Sequence, residues 1–355
     1  MAYTDIDNPS ETAFNTVLYT GTGSGGSNRQ ITGVGFQPNF TWVKTRGSSQ
    51  EHVLVDSVRG ATKALDSTSA GAEETNDTRI GAFISDGFQL GSGSVQNRVN
   101  HNATTIVSWN WLAETSFTND ASGTGIGTID SAGSVNDTNG FSIVSYTGTG
   151  SNGTIKHGLS TVPKMIIVKD IDSGSYSWHV YHVGIGNTKT IYLDINNAPD
   201  TDSIYWNNTT PTSSVFSVGT SVTTNNNTDA FIAYCFADVQ GYSKFGSYDG
   251  NSTGNDNNFQ YCGFSPAWVM IKCDSAAESW VIFDTKRNGF NPDNDELYAD
   301  LTGAETSTEA VDFLSNGFNP YKGTGTVNRS GKSYIFMAFA EHPFVTSTGV
   351  PATAK

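Results

Sequence analysis

The stretch from Phe141 to Lys169, FSIVSYTGTGSNGTIKHGLSTVPKMIIVK, constrains this chain more than any other, because recognisable versions of it occur three times. In each, an apolar strand ends in a Gly-rich turn, a loop runs to a Gly and a Pro, and a second apolar strand closes on a Lys. The first version carries Phe14, Tyr19 to Gly23, Gly35, Pro38 and Lys44; the third carries Phe245, Tyr248, Gly250, Gly263, Pro266 and Lys272. Landmarks spread over each copy keep step, as a true repeat requires. Lys44, Lys169 and Lys272 are 125 and 103 residues apart, and Ala113, Ala237 and Ala340 are 124 and 103 apart. Tyr19, Tyr146 and Tyr248 give 127 and 102, and Phe88, Phe216 and Phe318 give 128 and 102. Trp178 and Trp280, also 102 apart, mark one further strand, where the first copy has HVLVD.

Short β-rich runs separated by Gly, Asn and Ser every ten or so residues predict an all-β chain of three tandem β-sandwich modules, jelly-roll or lectin-like, with minimal helix. The expected division is a lead-in or docking segment at 1–13, modules at 14–114, 140–240 and 241–344, and a polar tail at 345–355. Residues 115–139, poor in apolar side chains and rich in Gly, Ser, Asp and Thr, read as a linker between two rigid parts. At most a short helix is expected in ATKALDSTSAGAEE of the first copy and GAETSTEAVDFL of the third. In the closing strand of the second copy, Phe231, Ala233, Cys235 and Ala237 share one face, and Ile232, Tyr234 and Phe236 the other. Both faces are apolar, which places the strand mid-sheet with cover on each side.

Composition narrows the chemistry. A net charge of -15 and a pI near 4.6 argue against nucleic-acid binding, which needs clustered Lys and Arg. No apolar run approaches the roughly 18 residues of a membrane span, and the acidic MAYTDIDNPSETAF lacks the basic segment and apolar core of a signal peptide. The expectation is a cytosolically made protein with no membrane insertion. Cys235, Cys262 and Cys273 read as free thiols, Cys235 as a small buried hydrophobe.

No catalytic motif of comparable clarity exists, and neither enzymatic activity nor a cofactor is expected. Gly21, Gly23 and Gly26, like Gly148, Gly150 and Gly153, match G-x-G-x-x-G. The segments after them, NRQITGVGF and TIKHGLSTV, are polar and Gly-interrupted and cannot form the helix that receives a pyrophosphate, so these are turn glycines. His179 and His182 fall on opposite faces of a strand, wrong for one metal. Asp293, Asp295 and Glu296 suggest an oxygen-rich calcium loop but lack its Gly and distal Glu, and read as a solvated acidic loop. Asp56 with Arg59, and Asp284 with Arg287, share an Asp-(Ser/Thr)-x-Arg order and read as structural loop pairs; the second copy has Tyr181-His182-Val183-Gly184 instead. Trp42 and Trp268 are expected in the core. Tyr205 and Trp206, in a polar segment without counterpart, are the candidate glycan contacts because they could reach solvent.

The segments GFSIVSYTGTG, HGLSTVPKMIIVKD, VFSVGT, AYCFADVQGYSKFGSYDGN, WVIFDTKRN, FLSNGFN and FMAFAEHPF resemble a repeat module of tail-fibre and other virion surface proteins of tailed bacteriophages, of the marine type. TDIDNPSETAFNTVLYTGTG, GFQPNFTWVK and VDSVRG look like its N-terminal version, so the resemblance spans about residues 3 to 350. It implies a non-enzymatic virion structural protein, a tail fibre or tail-associated protein for host-surface adsorption. A capsid decoration or head-fibre protein is the alternative, and a carbohydrate-binding protein the second. It also implies other virion proteins as partners, a host cell-surface glycan or protein as a further one, and a place on the virion surface after assembly in the host cytoplasm. A homotrimer is open, as is pseudo-threefold symmetry within one chain.

Overall fold

The computed structural model describes residues 4, 6–23, 29–75, 78–92, 97–251, 258–321, 325–346, 348–349 and 351. The first copy contributes β1 (Phe14–Thr20), β2 (Gln30–Thr32), β3 (Phe40–Thr45), β4 (Val53–Asp56), β5 (Lys63–Ala64), β6 (Glu74–Thr75), β7 (Ile80–Ile84), β8 (Gly87–Leu90) and β9 (Thr105–Trp111). Then come β10 (Thr115–Asn119), β11 (Ser131–Asn136), β12 (Phe141–Thr147), β13 (Gly153–Lys156), β14 (Met165–Asp170), β15 (His179–His182), β16 (Lys189–Tyr192), β17 (Asp200–Thr201), β18 (Val215–Val218) and β19 (Ala230–Phe236). The remainder forms β20 (Ser243–Asp249), β21 (Gln260–Tyr261), β22 (Phe264–Cys273), β23 (Val281–Asp284), β24 (Leu297–Tyr298), β25 (Val311–Leu314), β26 (Gly317–Pro320) and β27 (Ser333–Pro343). The helices among the described residues are single four-residue turns, so the chain is all-β as expected.

Three large sheets share one strand order. They run β1-β9-β3-β4, then β12-β19-β14-β15 within an eight-stranded sheet, then β20-β27-β22-β23. Each is faced by a small sheet, β2-β8-β7, β13-β18 or β21-β26-β25. In every case the closing strand lies between the first and third strands, which is why its two faces are both apolar. Those faces serve different cores. Phe231, Ala233, Cys235 and Ala237 pack with Phe216 and Val218 of the small sheet, whereas Ile232, Tyr234 and Phe236 join a cluster that reaches all three copies.

At the centre of that shared cluster stand Trp111, Phe236 and Phe339, at corresponding positions of β9, β19 and β27. Their ring centroids are 6.4 Å apart for Trp111 and Phe236, 5.6 Å for Trp111 and Phe339, and 6.0 Å for Phe236 and Phe339. The three copies therefore close around an approximate threefold axis, and are not strung in a row as two rigid parts. Burying one face of each sheet on the other two removes far more apolar surface from water than end-to-end stacking would.

The landmarks of the repeat have one structural reason each. The hydroxyls of Tyr19, Tyr146 and Tyr248 donate to the carbonyls of Val99, Thr224 and Val327 at 2.7, 2.6 and 2.6 Å. The same rings meet Phe88, Phe216 and Phe318 edge-on. A Cβ on Gly21, Gly148 or Gly250 would lie 1.9, 2.1 or 2.2 Å from a facing carbonyl oxygen, so these turns need glycine for close backbone approach. Gly26 lies outside the described residues; Gly153 is in β13.

Several expectations are corrected. Residues 115–139 form the hairpin β10-β11, which extends the second sheet through β12. Strand pairing there rests on backbone hydrogen bonds and on a few buried side chains such as Ala121, Ile129 and Val135, so poor apolar content did not make it a linker. In the lead-in, Ile6 and Ala13 belong to the shared cluster. The two segments for which at most a short helix is expected form none. Lys63–Ala64 pairs with Glu74–Thr75 across the first, and Val311–Leu314 pairs with β26 in the second. The three cysteines are free and buried.

Candidate functional site at the seams between the copies

Strand β4 ends on Asp56 and β23 on Asp284; both side chains are buried. One carboxylate oxygen caps the following turn. Asp56 Oδ1 accepts from the Val58 and Arg59 amides at 3.0 and 2.9 Å, and Asp284 Oδ1 from those of Lys286 and Arg287 at 3.1 and 3.0 Å. The other oxygen pairs with the guanidinium, Arg59 Nε or Arg287 Nε, at 2.6 Å in each case. Burial is the largest effect on Arg59 and pulls it down, but Asp56, Tyr234 and Glu73 together outweigh it and raise its pKa; Asp284, Glu305 and Asp293 together do the same for Arg287.

These pairs do more than close a loop, because the second oxygen also crosses to a neighbouring copy. Asp56 Oδ2 accepts from the Tyr234 hydroxyl of the second copy at 2.8 Å, and Asp284 Oδ2 from Trp109 Nε1 of the first at 2.9 Å. His182 holds the equivalent place in the second copy. Its Nδ1 accepts from the Gly184 amide at 3.0 Å, as the aspartates do from their turns, which puts the proton on Nε2. Nε2 then donates across the seam to the Phe336 carbonyl at 3.1 Å. The third copy offers an acceptor where the others offer donors, so the residue facing it is a donor.

The Lys that closes each repeat motif works the same way. Lys44 Nζ donates to the Thr302 carbonyl of the third copy at 2.9 Å, Lys169 Nζ to Ala70 of the first at 3.1 Å, and Lys272 Nζ to Asn196 of the second at 3.3 Å. Each is buried, and burial lowers its pKa to about 8 against the pull of nearby carboxylates. Trp178 Nε1 reaches the Asp66 carbonyl and Trp280 Nε1 the Tyr192 carbonyl, at 3.0 and 2.6 Å. These lysine and tryptophan links run the same way round: first copy onto third, second onto first, third onto second. The sequence flagged these lysines only as landmarks; a charge ending a buried apolar strand three times was the available signal.

Other candidates fall elsewhere. Tyr205 and Trp206 are 8% and 2% exposed, so they offer no sugar platform. Tyr205 stacks on His179 and donates to Asp200 at 2.7 Å, and Trp206 packs edge-on against Tyr181; a helical turn in the polar segment folds both rings inward. Trp42 and Trp268 are buried. Asp295 faces Arg46 at 3.4 Å, and Glu296 accepts from the Thr308 and Glu309 amides at 2.7 and 3.0 Å. Asp293, pushed up to about 8 by burial, accepts from the Asp295 amide at 3.3 Å through Oδ1, with Oδ2 unpartnered. The acidic loop is thus engaged with its own copy and the first rather than solvated. Among the described residues no group of three or more His, Cys, Asp or Glu is placed to hold a metal ion, and no helix is long and apolar enough to cross a membrane.

Fold and seams define an all-β chain whose three sheets lock round one axis. The chain belongs to the DUF7483 family, described as a domain of unknown function, whose profile matches residues 8–343. That single profile takes in all three copies. A search of curated proteins finds no match.

Proposed function

We propose that the chain is a non-enzymatic structural protein of a bacteriophage virion, a tail fibre or tail-associated protein serving adsorption to the host surface. The observation that carries this reading is the closure of three copies around Trp111, Phe236 and Phe339. It gives one chain the threefold outline that symmetric assemblies otherwise build from three, in keeping with the tail-fibre resemblance of its repeats. The seam charges support it too, since Lys44, Lys169, Lys272, Arg59 and Arg287 are spent on carbonyls and carboxylates of the fold rather than gathered round a cleft. In this role its partners are other virion proteins and a host-surface glycan or protein, and its place is the virion surface after assembly in the host cytoplasm.

Electron cryomicroscopy of the intact particle tests the role. Density of this shape on the tail supports it; density at threefold positions of the shell moves the chain to capsid decoration, which the same outline suits; absence from the particle refutes both. Sedimentation of the isolated chain at its monomer mass of 37.9 kDa is expected, with no homotrimer.

A further inference from the structure

We infer that the pocket beside the β5-β6 loop binds the terminal sugar acid of a glycan, with its carboxylate on Arg79 and Arg98 and its hydroxyls on the carboxylates beside them. The pocket, of about 280 Å³, is lined by Glu51, Asp66, Glu74, Arg79 and Arg98 of the first copy and by Thr302 of the third. Its size suits one sugar unit rather than a chain. The wall that carries Asp66 is held by its neighbours. Ser67 Oγ donates to the Ala299 carbonyl of the third copy at 2.6 Å, and the Asp66 carbonyl accepts from Trp178 Nε1 of the second at 3.0 Å. A wall fixed in this way loses little freedom when a ligand binds.

The arginines carry the argument. Arg79 is 8% exposed. Among the described residues it pairs through Nη2 with Glu74, whose side chain is 55% exposed, and Arg98 pairs through Nε with Glu51 at 2.8 Å. One contact each leaves both planar forks with donors to spare. Burial lowers the pKa of Arg79 and the nearby Arg98 lowers it further, against the pull of Glu74 and Asp66. The buried guanidinium is therefore under-compensated, and a second anion beside it would relieve that. Inorganic phosphate would suit the arginines but brings few hydrogens for the carboxylates that also line the pocket. A sugar acid brings both, an anionic group for the two forks and hydroxyls that donate to Asp66 and Glu51. The repeat does not demand this charge. Tyr19, Tyr146 and Tyr248 bond the carbonyls of Val99, Thr224 and Val327, and the residues just before these are Arg98, Thr223 and Thr326. The basic side chain belongs to the first copy alone. Glu74 holds the place on Arg79 that the ligand's carboxylate would take, and its exposure lets it swing aside.

The site rests on the proposed adsorption role only for its setting; binding by the isolated full chain is a separate fact. Saturation-transfer NMR and calorimetry provide the test. The probes are the methyl glycosides of glucuronic and galacturonic acid, blocked at the anomeric oxygen as a glycan end is, the two free acids, and methyl glucoside and methyl galactoside as neutral counterparts. At least one uronate glycoside is expected to bind about tenfold tighter than its neutral counterpart, and as tightly as the free acid. Arg98→Gln should remove that preference. Glu74→Gln should tighten uronate binding roughly threefold, because the resident carboxylate no longer competes for Arg79; an ion pair serving stability alone predicts no such gain. Both side chains reach solvent, so an unchanged melting temperature is expected of each variant. Arg329→Gln, at a residue that does not line the pocket, should leave binding unaltered. The inference is overturned by absence of uronate binding, by neutral glycosides bound as tightly, by binding of the free acids alone, by a preference intact in Arg98→Gln, or by failure of Glu74→Gln to tighten binding. Uronate binding by a chain absent from the virion would keep the site and reject the adsorption role; tail density without uronate binding would do the reverse.

Discussion

Replacing Phe339 by Ala should weaken the whole body rather than the third copy alone. Phe339 is buried and contacts six aromatic rings, those of Phe14, Trp111, Phe236, Tyr242, Phe245 and Trp268, at centroid distances from 5.3 to 6.2 Å. Truncating a buried Phe costs about 3–5 kcal/mol. The site stands at the upper end, because its neighbours are themselves locked by contacts from three sheets and cannot collapse into the void, and because aromatic pairs contribute beyond their area. A loss of about 5 kcal/mol is a large share of the roughly 5–15 kcal/mol that stabilises a typical domain, and lowers the melting temperature by roughly 10 °C or more. Denaturant unfolding followed by Trp fluorescence, with peptide-resolved hydrogen exchange, measures it. The expected result is one cooperative transition at lower denaturant, with protection lost together in β9, β19 and β27. If only peptides of the third copy lose protection while the first and second keep theirs, the copies are independent and the reasoning about a shared axis is wrong.

The remaining predictions concern the seams, the buried histidines and the turns. His182→Asp, which would make the second copy read like the other two, should destabilise by about 3–5 kcal/mol, because it sets a buried carboxylate against the Phe336 carbonyl; an unchanged denaturation midpoint would refute the donor-for-acceptor exchange. His157, His179 and His182 are held near pKa 4, 3 and 4, chiefly by burial. Their folded values lie below the unfolded value near 6.5, so stability from keeping them neutral is lost as the pH falls from 6.5 toward 4, by roughly 3 kcal/mol per ring. Asp293, raised to about 8 by burial, acts in the opposite sense, contributing stability that fades as the pH rises toward 8. The NMR titration of each imidazole is therefore the clean readout, and a ring titrating near 6.5 in the folded chain would contradict its burial. Gly148→Ala should cost more than about 1 kcal/mol by denaturant titration, since its Cβ would lie 2.1 Å from the Asn226 carbonyl oxygen.

The site was half legible. Asp56, Arg59, Asp284 and Arg287 stood out as local pairs because their partners are three residues away, within reach of a local reading. Their second partners, Tyr234 and Trp109, are 178 and 175 residues distant in sequence, and no spacing announces them. Tyr205 and Trp206 were misread because a polar neighbourhood in sequence is not an exposed one in space; a single helical turn reverses where a ring points.

By itself the sequence determined that the chain is β, that one strand pattern recurs three times, and that its closing strand is covered on both faces, because alternation and turn glycines are local properties. It did not determine what covers the second face. Ile232, Tyr234 and Phe236 could have met a helix, a partner or another sheet. Only the tertiary structure decided that they meet the other two copies, since burial against distant chain depends on how three sheets fit together. The lysines that mark the repeat became its locks for the same reason: a buried ammonium needs acceptors, and beside those of its own copy each takes one carbonyl that the neighbouring copy brings within reach.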